Sequence, residues 1–404
     1  MPEAVIVATA RTPIGRAFKG SFVEERADDM AAFIVDAVLN KVPQLDRNTV
    51  DDLILGCGLP GGEQGFNMGR VVAILAGMPD VPGCTITRYC SSSLQSIRMA
   101  AHAIRAGEGD AFVAAGVEAV SRFMVGGSSD HTPGTQNPTF GDAGLRTIAR
   151  AAGDQGAWTP PTGLPDVYIA MGETAENVAE VEGVTREEMD DYAFRSQQRA
   201  GAAIARGFFE REITPYTRKD GTVISADDCP RPQTEREKLG SLAPAFRPTG
   251  RVTAGNACPL NDGAAAVVVM SDTKAKELGI TPLARIVSSG VSGLNPEIMG
   301  LGPIEASRRA LKFAGMTIDQ IDLVEINEAF AAQVLPSAKA LGIPEDRLNV
   351  NGGAIALGHP FGMTGARIMG TMLNGLEDAD KTFGLETMCV GGGQGMAMIV
   401  ERLA

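Results

Sequence analysis

An internal repeat limits the folds open to this chain. Residues 50–64 (VDDLILGCGLPGGEQ) and 321–333 (IDLVEINEAFAAQ) each begin with a short apolar strand. Each stretch is preceded by an amphipathic helix, at 28–42 and at 303–314, and is followed by a helix, another short strand, a turn and a new helix. Because a repeated supersecondary unit folds in the same way each time, the repeat predicts two similar halves that pack together.

A different region separates the two copies. It starts with a loop rich in Gly, Ser, Thr and Pro at 126–142 and continues with helical segments, one of them capped by Thr185. Apolar strands that alternate with amphipathic helices predict an α/β protein with a buried, largely parallel sheet. The predicted units are an N-terminal half formed by 1–118 and 251–282, an inserted loop domain at 119–250 and a C-terminal half at 283–404.

The charge of the chain excludes two classes of partner. Its 36 basic and 49 acidic residues give a net charge of −13 at pH 7. An acidic chain without a basic cluster is repelled by nucleic-acid phosphates and by anionic membrane surfaces. No apolar run approaches the roughly 20 residues that span a bilayer, and the N-terminus lacks a signal-peptide pattern. We therefore predict a cytoplasmic protein with neither nucleic-acid nor membrane partners.

The spacing of cysteine and histidine argues against disulfides and metals. The six cysteines are scattered and form no CxxC pair, and His102, His131 and His359 show no ligand spacing. Most of the cysteines are therefore expected to be buried and inert. We predict no metal site and no cofactor.

Cys90 lies at a predicted strand-to-helix turn. Residues 85–87 favour a strand, and the apolar residues of the next helix fall on one face until Gly107 ends it. Free backbone N–H groups and the positive end of the helix macrodipole at such a turn lower the pKa of a thiol below its usual value of about 8.5. Cys90 is therefore a candidate nucleophile, and the alternative is a small residue that fills a tight turn.

His359 is the second candidate. It follows a Gly-rich stretch after a strand that is expected to finish at Val350 and Asn351, and the Gly-His-Pro triplet holds the imidazole on a constrained turn. An imidazole can take a proton from a thiol near neutral pH. The alternative is a hydrogen-bonded turn histidine without a catalytic role.

Two further segments carry candidate residues. In residues 387–400 (TMCVGGGQGMAMIV), Cys389 ends an apolar strand, and the glycines after it allow backbone N–H groups to converge as an oxyanion hole requires. A bulge in a buried hairpin is the alternative. Asn327 ends another strand at the carboxyl edge of the sheet, where open α/β sheets bind their ligands.

Together with other short segments, these motifs resemble those of the thiolase family, in the same order and over nearly the whole chain. The segments are ARTPIG near the N-terminus, MGETAENVA at 171–179, PAF at 244–246, VTAGNACPLNDGAAA at 252–266, NEAF at 327–330, GGAIALGHPFGMTGAR at 352–367 and CVGGGQG at 389–395. The resemblance implies a five-layered αβαβα architecture made of two duplicated halves, with the inserted loop domain covering the active site.

The resemblance also implies a role for each candidate. Cys90 would be the nucleophile that becomes acylated, and His359 would activate it. Cys389 would protonate the leaving carbanion or, in the reverse direction, remove the α-proton of acetyl-CoA. Asn327 would act through a water beside His359, and the backbone N–H groups of Cys90 and Gly391 would form the second oxyanion hole.

Contacts to coenzyme A and the acyl chain are implied by the same resemblance. Arg231 matches a position near the CoA nucleotide. The positions that contact CoA or line the pantetheine and acyl pocket are matched by Met171, Phe246, Ala254, Cys258, Ala329 and Phe330. Plain core packing is the alternative for the methionine and the two phenylalanines.

Four residues depart from the family pattern. Ser93 replaces a glycine after the nucleophile and is expected to crowd that turn or to change its dihedral angles. Cys258 and Pro259 replace a serine and a glycine, so a CoA-contacting hydroxyl becomes a thiol, which is a weaker hydrogen-bonding group. Ala170 stands where short-chain biosynthetic members often carry histidine. These departures favour a 3-ketoacyl-CoA thiolase over a dedicated acetoacetyl-CoA synthase, and they leave chain length, branched or sterol specificity and direction open.

The resemblance implies acyl-CoA and CoA as substrates, no separate cofactor, a role in fatty acid metabolism including β-oxidation, and a homodimer or homotetramer. A ketoacyl-synthase-like condensing enzyme is disfavoured because such enzymes use histidine or asparagine where this chain has Cys389. A non-catalytic CoA-binding protein of thiolase shape would be expected to lose Cys90, His359 or Cys389. A cysteine hydrolase stays open, although it would leave the second cysteine unexplained.

Overall fold

The computed structural model describes residues 2–123, 125, 134–153 and 157–404, so His131 and the first half of the loop at 126–142 lie outside the described residues. The strands are β1 (Ala4–Arg11), β2 (Gly15–Arg16), β3 (Asp52–Cys57), β4 (Gly83–Ile86), β5 (Ala111–Ala119), β6 (Tyr216–Thr217), β7 (Val223–Ile224), β8 (Asn261–Ser271), β9 (Ala284–Gly293), β10 (Leu323–Ile326), β11 (Phe383–Val390) and β12 (Gln394–Arg402). The helices are α1 (Ala27–Asn40), α2 (Met68–Leu75), α3 (Ser92–Ala106), α4 (Gly141–Ala151), α5 (Met171–Val181), α6 (Arg186–Ala205), α7 (Arg236–Gly240), α8 (Asp272–Glu277), α9 (Gly302–Ala314), α10 (Ala331–Leu341), α11 (Ala354–Leu357) and α12 (Thr364–Asp378).

The sheet is built from two copies of one strand order. Along its path the order is β10-β11-β12-β9-β1-β8-β5-β3-β4. In the N-terminal half, β3 is parallel to β4 and β5, and β8 lies antiparallel between β5 and β1. In the C-terminal half, β10 is parallel to β11, and β12 lies antiparallel between β11 and β9. The halves meet where Val5 and Ile6 of β1 pair with Arg285 and Ala284 of β9.

Helices cover both halves and separate them. Helices α1 and α2 pack on the outer face of the N-terminal strands, and α9 and α10 share an apolar core with the C-terminal strands. Helices α3 and α12, which follow the two predicted catalytic turns, pack against each other and against strands of both halves in a central core. Five layers in the order αβαβα result, as the resemblance implies, and the predicted fold class is confirmed.

The prediction of a strand that finishes at Val350 and Asn351 is wrong. In the part of the chain that the structure describes, a single bridge between Val324 and Leu348 extends the sheet beyond β10. The next residue, Asn349, has a φ of +46° and turns the chain away. Its side chain replaces the missing strand, because Oδ1 accepts from the N–H of Ile326 at 2.9 Å and Nδ2 donates to the carbonyl of the same residue at 2.9 Å.

The region between β5 and β8 holds helices α4–α7 and the short hairpin of β6 and β7. Thr185 caps α6 as predicted: its hydroxyl accepts from the N–H of Glu188, whose carboxylate accepts from the N–H of Thr185. The proposed boundaries of this loop domain and of the two halves stay predictions. Across the described residues, every helix is too short or too polar to cross a bilayer.

Candidate active site

Cys90 sits on a single helical turn, Tyr89–Ser91, between β4 and α3. The predicted strand-to-helix turn is therefore confirmed. Tyr89, the residue before the cysteine, has a φ of +44°, a left-handed conformation that side chains other than glycine rarely adopt. The turn leaves Cys90 only 8% exposed. The backbone N–H groups of Gly391 and of Cys90 itself act on its sulfur and favour the thiolate.

The expectation that this turn lowers the pKa of the Cys90 thiol is wrong for the free protein. Burial raises the pKa to about 12, and it outweighs the two N–H groups, which act in the opposite direction. The free-energy cost of removing a thiolate from water is larger than the stabilisation that these N–H groups give to it. The thiol form of Cys90 therefore dominates at neutral pH until a base takes its proton.

The glycines at 391–393 form the turn between β11 and β12, so the segment is a tight hairpin. The Tyr89 ring lies over this turn: a side-chain carbon at Gly391 would sit 3.3 Å from the ring. Cys389 is buried near the end of β11, and burial raises the pKa of its thiol well above the ordinary value. Negative charge on Cys90 or Cys258 would raise that pKa further, so the three sulfurs are neighbours.

His359 is 1% exposed and held at three points. Its backbone N–H donates to Asn261 Oδ1 at 2.8 Å, Nδ1 lies 2.6 Å from Thr364 Oγ1 and Nε2 lies 3.3 Å from Asn327 Nδ2. Because the Thr364 hydroxyl donates to the Pro360 carbonyl at 2.7 Å, its oxygen accepts from Nδ1–H. Nε2 is then the unprotonated nitrogen and accepts from Asn327.

The imidazole of His359 is neutral at physiological pH. Burial, and to a smaller extent the positive charge of buried Arg367, lowers its pKa to about 3. A neutral imidazole whose Nε2 carries a lone pair can accept a proton, which a charged one cannot. His359 has the protonation state that a general base requires.

A cavity of about 390 Å³ opens above the nucleophile turn. Cys90, Met171, Phe361 and Gly391 are among its lining residues. His359 and Cys389 do not line it, but each lies two residues from a lining residue, Phe361 and Gly391 respectively. The structure therefore brings the cysteine turn, the histidine turn and the glycine turn to one cavity.

Most of the residues expected at the substrate gather beside this cavity. Met171 lines it, and the Phe246 ring meets the Phe330 ring edge-on at 6.2 Å. The backbone N–H of Cys258 donates to the carbonyl of Ala329 at 3.0 Å. The thiol of Cys258 is close enough to the nucleophile that negative charge there would raise its pKa, in the same direction as burial.

Two of the expected substrate contacts lie further out. Ala254 is exposed, in the loop before β8, and Arg231 is exposed, with its backbone N–H donating to Gln197 Oε1 at 2.8 Å. Neither residue lines the cavity above Cys90. The proposed contact of Arg231 with the CoA nucleotide stays a prediction.

Ser93 is fully buried, and its predicted effect on the nucleophile turn stays a prediction. It lies in the first turn of α3, and its Oγ accepts from the N–H of Ala366 in α12 at 2.9 Å. The hydroxyl joins the helices that follow the two catalytic turns. Serine is accommodated here because its side chain points at a free N–H of the opposite helix, whose first N–H groups have no partner within that helix.

Two buried residues at the site were missed in the sequence. Thr364 sets the tautomer of His359, and Glu118 at the end of β5 accepts from backbone N–H groups on both sides of the cavity. The sequence does contain a signal for Glu118, because a carboxylate that directly follows an uninterrupted apolar run is unusual. Thr364 had none, because a threonine at the start of a helix is ordinary.

Comparison with known proteins agrees with this geometry. The thiolase N-terminal domain model matches residues 4–273, and the thiolase C-terminal domain model matches residues 280–402. The 3-ketoacyl-CoA thiolase of Cronobacter sakazakii is 43% identical over 412 residues, covering 100% of both chains. The beta-ketoadipyl-CoA thiolase of Acinetobacter baylyi is 43% identical with the same coverage.

A solved structure gives the same answer for the fold. The crystal structure of the Bacillus anthracis acetyl-CoA acetyltransferase superposes with a TM-score of 0.86 at 38% identity, covering 100% of this chain and 99% of that one. Two domain models spanning nearly the whole chain, full-length relatives above 40% identity and a shared fold lead to one conclusion: this chain belongs to the thiolase family.

Proposed function

We propose that this protein is an acyl-CoA:acetyl-CoA C-acyltransferase that cleaves 3-ketoacyl-CoA with CoA, or runs the reverse condensation, through an acyl-enzyme on Cys90. One observation carries the proposal: Cys90 and Gly391 line the same cavity, and the N–H groups of both residues favour the Cys90 thiolate close to a second thiol, that of Cys389. Acyl transfer through a thioester needs a sulfur nucleophile, an acid–base group and dry donors for an oxyanion, and these residues supply all three.

In the first half of the reaction, His359 Nε2 takes the proton of Cys90 and the thiolate attacks the C3 carbonyl. The C2–C3 bond breaks, its electron pair passes to C2 of the departing acetyl-CoA, and the Cys389 thiol protonates that carbon. Asn327 Oδ1 is buried and has no hydrogen-bond partner in the described part of the chain. A buried amide oxygen normally has one, which supports a bound water at this position.

In the second half, an incoming CoA thiol gives its proton to the Cys389 thiolate and its sulfur attacks the acyl group on Cys90. The tetrahedral oxyanion collapses, the shortened acyl-CoA leaves, and the Cys90 sulfur recovers its proton from His359. Every proton and acyl transfer is assigned to a side chain or to CoA. The proposal therefore includes neither a metal nor a redox cofactor.

The test of this function is a substrate series. Thiolysis rates should be measured across 3-ketoacyl-CoAs of increasing length, with the condensation of two acetyl-CoA molecules assayed beside them. We expect thiolysis of chains longer than acetoacetyl-CoA. Activity confined to acetoacetyl-CoA would favour the alternative, a short-chain acetyl-CoA acetyltransferase, and no acyl transfer at all would favour a non-catalytic CoA-binding protein.

A second substrate class has an observation in its favour. A neighbouring cavity of about 430 Å³ shares Ile169 with the cavity above Cys90 and is lined by Arg146, Arg150 and Arg247 together with one carboxylate, Glu297. Guanidinium groups bind carboxylates in bidentate fashion, so an acyl chain that ends in a carboxylate is a candidate occupant. It would compete with the existing pairs of Arg150 with Glu180 at 2.7 Å and of Arg247 with Glu173 at 2.8 Å. Comparing 3-ketoadipyl-CoA with 3-ketohexanoyl-CoA tests this class, and a slower reaction of the dicarboxylic substrate argues against it.

The assembly and setting belong to the same proposal. We expect a homodimer, with a homotetramer as the alternative. In the described part of the chain, β4 is the last strand at one edge of the sheet, and the residues of β4 are half-buried. Unpaired N–H and C=O groups on such an edge favour pairing with another strand. Light scattering of the purified protein measures the mass. Cytoplasmic fatty acid β-oxidation stays the predicted setting.

A further inference from the structure

Glu118 carries a concentration of hydrogen bonds that the reaction does not explain. Its side chain is fully buried. Oε2 accepts from the N–H groups of Gly58 at 2.7 Å and Gly362 at 2.9 Å, and Oε1 accepts from Leu59 N–H at 3.3 Å and Gln64 Nε2 at 2.9 Å. These four N–H groups are donors only, and the Cys57 thiol, a weaker donor, lies 3.8 Å from Oε1. An ionised carboxylate accepts from all of them, whereas a protonated one would have only the weakly accepting Cys57 sulfur for its hydrogen.

These donors belong to two separate walls of the active site. Gly58 and Leu59 follow β3, and Leu59 lines the cavity above Cys90. Gly362 belongs to the turn of His359, and its neighbour Phe361 lines the same cavity. The carboxylate therefore joins a cavity wall in the N-terminal half to the histidine turn in the C-terminal half.

The contact between the halves is tight at this point. A side-chain carbon at Gly116, two residues before Glu118, would lie 2.0 Å from the carbonyl of Gly362 and 2.5 Å from Ser93 Cβ. A side-chain carbon at Gly58 would lie 2.6 Å from both Glu118 Oε2 and Phe361 Cβ. With so little free space, a change of reach at Glu118 must move the histidine turn or the cavity wall.

Glu118 also acts on the nucleophile through its charge. The titratable groups that face Cys90 are Glu118 from β5, Cys389 from β11 and Cys258 from the loop before β8, with the neutral His359 on the turn before α12. Burial raises the pKa of the Glu118 carboxyl, and its four hydrogen bonds act in the opposite direction. The N–H donors around Glu118 favour its ionised form, so in this set it is the group whose surroundings favour negative charge. Negative charge there disfavours the Cys90 thiolate, in the same direction as burial.

We propose that Glu118 is a positioning residue with two separable effects: its reach holds the cavity wall and the histidine turn together, and its charge keeps Cys90 in the thiol form until substrate binds. The first effect rests on the proposed function, because it is measured as turnover. The second does not, because alkylation of Cys90 needs no acyl substrate.

Two substitutions separate the effects. Glu118→Gln keeps the length and removes the charge, whereas Glu118→Asp keeps the charge and shortens the reach. We expect both to lower kcat for thiolysis by about 10- to 100-fold with KM within about threefold, as small displacements of catalytic groups do. Glu118→Asp no longer reaches both walls, and the NH2 group of Glu118→Gln faces N–H donors from which it cannot accept, so the walls shift in both variants. Only Glu118→Gln should move the pH midpoint of Cys90 alkylation by iodoacetamide downward, with a several-fold faster rate at about pH 8.

Asp51→Asn is the matched control. Asp51 accepts from the N–H groups of Asp110 and Ala111 at 2.7 and 2.9 Å at the opposite end of β5, far from the cavity. It should leave kcat and the alkylation midpoint unchanged. A kcat within twofold of wild type in both Glu118 variants, or an unmoved midpoint in Glu118→Gln, would overturn the proposal.

If Glu118→Gln does not fold, Gln64→Ala carries the test by removing one of the four donors. A kcat about threefold lower supports the proposal, and an unchanged kcat overturns it. If the wild type thiolyses no 3-ketoacyl-CoA, the proposed function fails, but the alkylation midpoints of the two Glu118 variants still decide the effect of charge.

Discussion

The turns of Cys90 and His359 come from equivalent parts of the two halves but have different surroundings. In the N-terminal half, β3 pairs with a full strand, β4, whose outer edge has no partner strand among the described residues. In the C-terminal half, the outer edge of β10 has a single bridge to Leu348 within the described residues, and α6 covers the segment that follows. A side-chain carbon at Gly352 would lie 2.7 Å from backbone atoms of Ser196 and Ala200 in that helix.

This difference matches the chemistry assigned to each turn. Cys90 lines a cavity, whereas His359 is 1% exposed, does not line that cavity and is kept neutral by burial. A nucleophile must meet an acyl group, but a base needs only its partner thiol and protection from water. The duplicated scaffold therefore supplies one accessible position and one enclosed position at a shared site.

The accessible position is tested most strongly by Cys90→Ala. We expect thiolysis to fall by more than about 10⁴-fold, because no acyl-enzyme can form without the sulfur. Acetoacetyl-CoA thiolysis measures the effect, and thermal unfolding of the variant is the control for folding. Full activity in this variant would show that the nucleophile has been assigned to the wrong half.

The enclosed position is tested by His359→Asn, which should lower kcat by about 10²- to 10⁴-fold. The pH profile of the wild type sharpens this test. Because the pKa of His359 is lowered to about 3, the imidazole stays an unprotonated base until the pH falls toward that value. We expect no loss of kcat/KM from this group between about pH 8 and about pH 5. An acid limb near about 6.5, the ordinary histidine value, that disappears in the variant would contradict the enclosed, neutral histidine.

Separate roles for the two buried thiols predict a smaller effect for Cys389→Ser. Acetyl-CoA should still acetylate Cys90, while thiolysis should slow by about 10²-fold because serine is a weaker acid and base. Intact-protein mass spectrometry after acetyl-CoA treatment detects the acyl-enzyme. The absence of acylation in a folded variant would count against the division of roles.

We expect the smallest effect on activity from removing the hydrogen bond that joins α3 to α12. Ser93→Ala leaves the N–H of Ala366 without its acceptor and should lower the free energy of unfolding by about 1–2 kcal/mol. Denaturation in urea measures the change, and kcat should stay within about twofold of wild type. A much larger loss of kcat would mean that the alignment of the halves depends on this single bond.

Much of the scaffold could be predicted from local pattern. The repeat, the turn at Cys90 and the cap at Thr185 each depend on residues close together in the chain, and each is found as expected. The environment of Cys90 could not be predicted in the same way. Its pKa is set by burial under distant segments, and the helix N-terminus that the local pattern shows is the weaker influence.

Partners that are distant in the sequence decide two further features. The strand expected at Val350 and Asn351 is replaced by the side chain of Asn349, which bonds to β10 across the fold. The hydroxyl of Ser93 accepts from the N–H of Ala366, which belongs to the other half. The neighbouring residues in the sequence contain no information about either partner.

The position of β8 has a consequence for synthesis of the protein. This strand lies between β1 and β5, yet it is encoded only at Asn261–Ser271, after the whole inserted region. On the ribosome, the first half therefore lacks its central strand until most of the polypeptide has emerged. Early apolar strands stay unpaired during that interval, and nascent chains halted before Asn261 are expected to depend on chaperones and to aggregate.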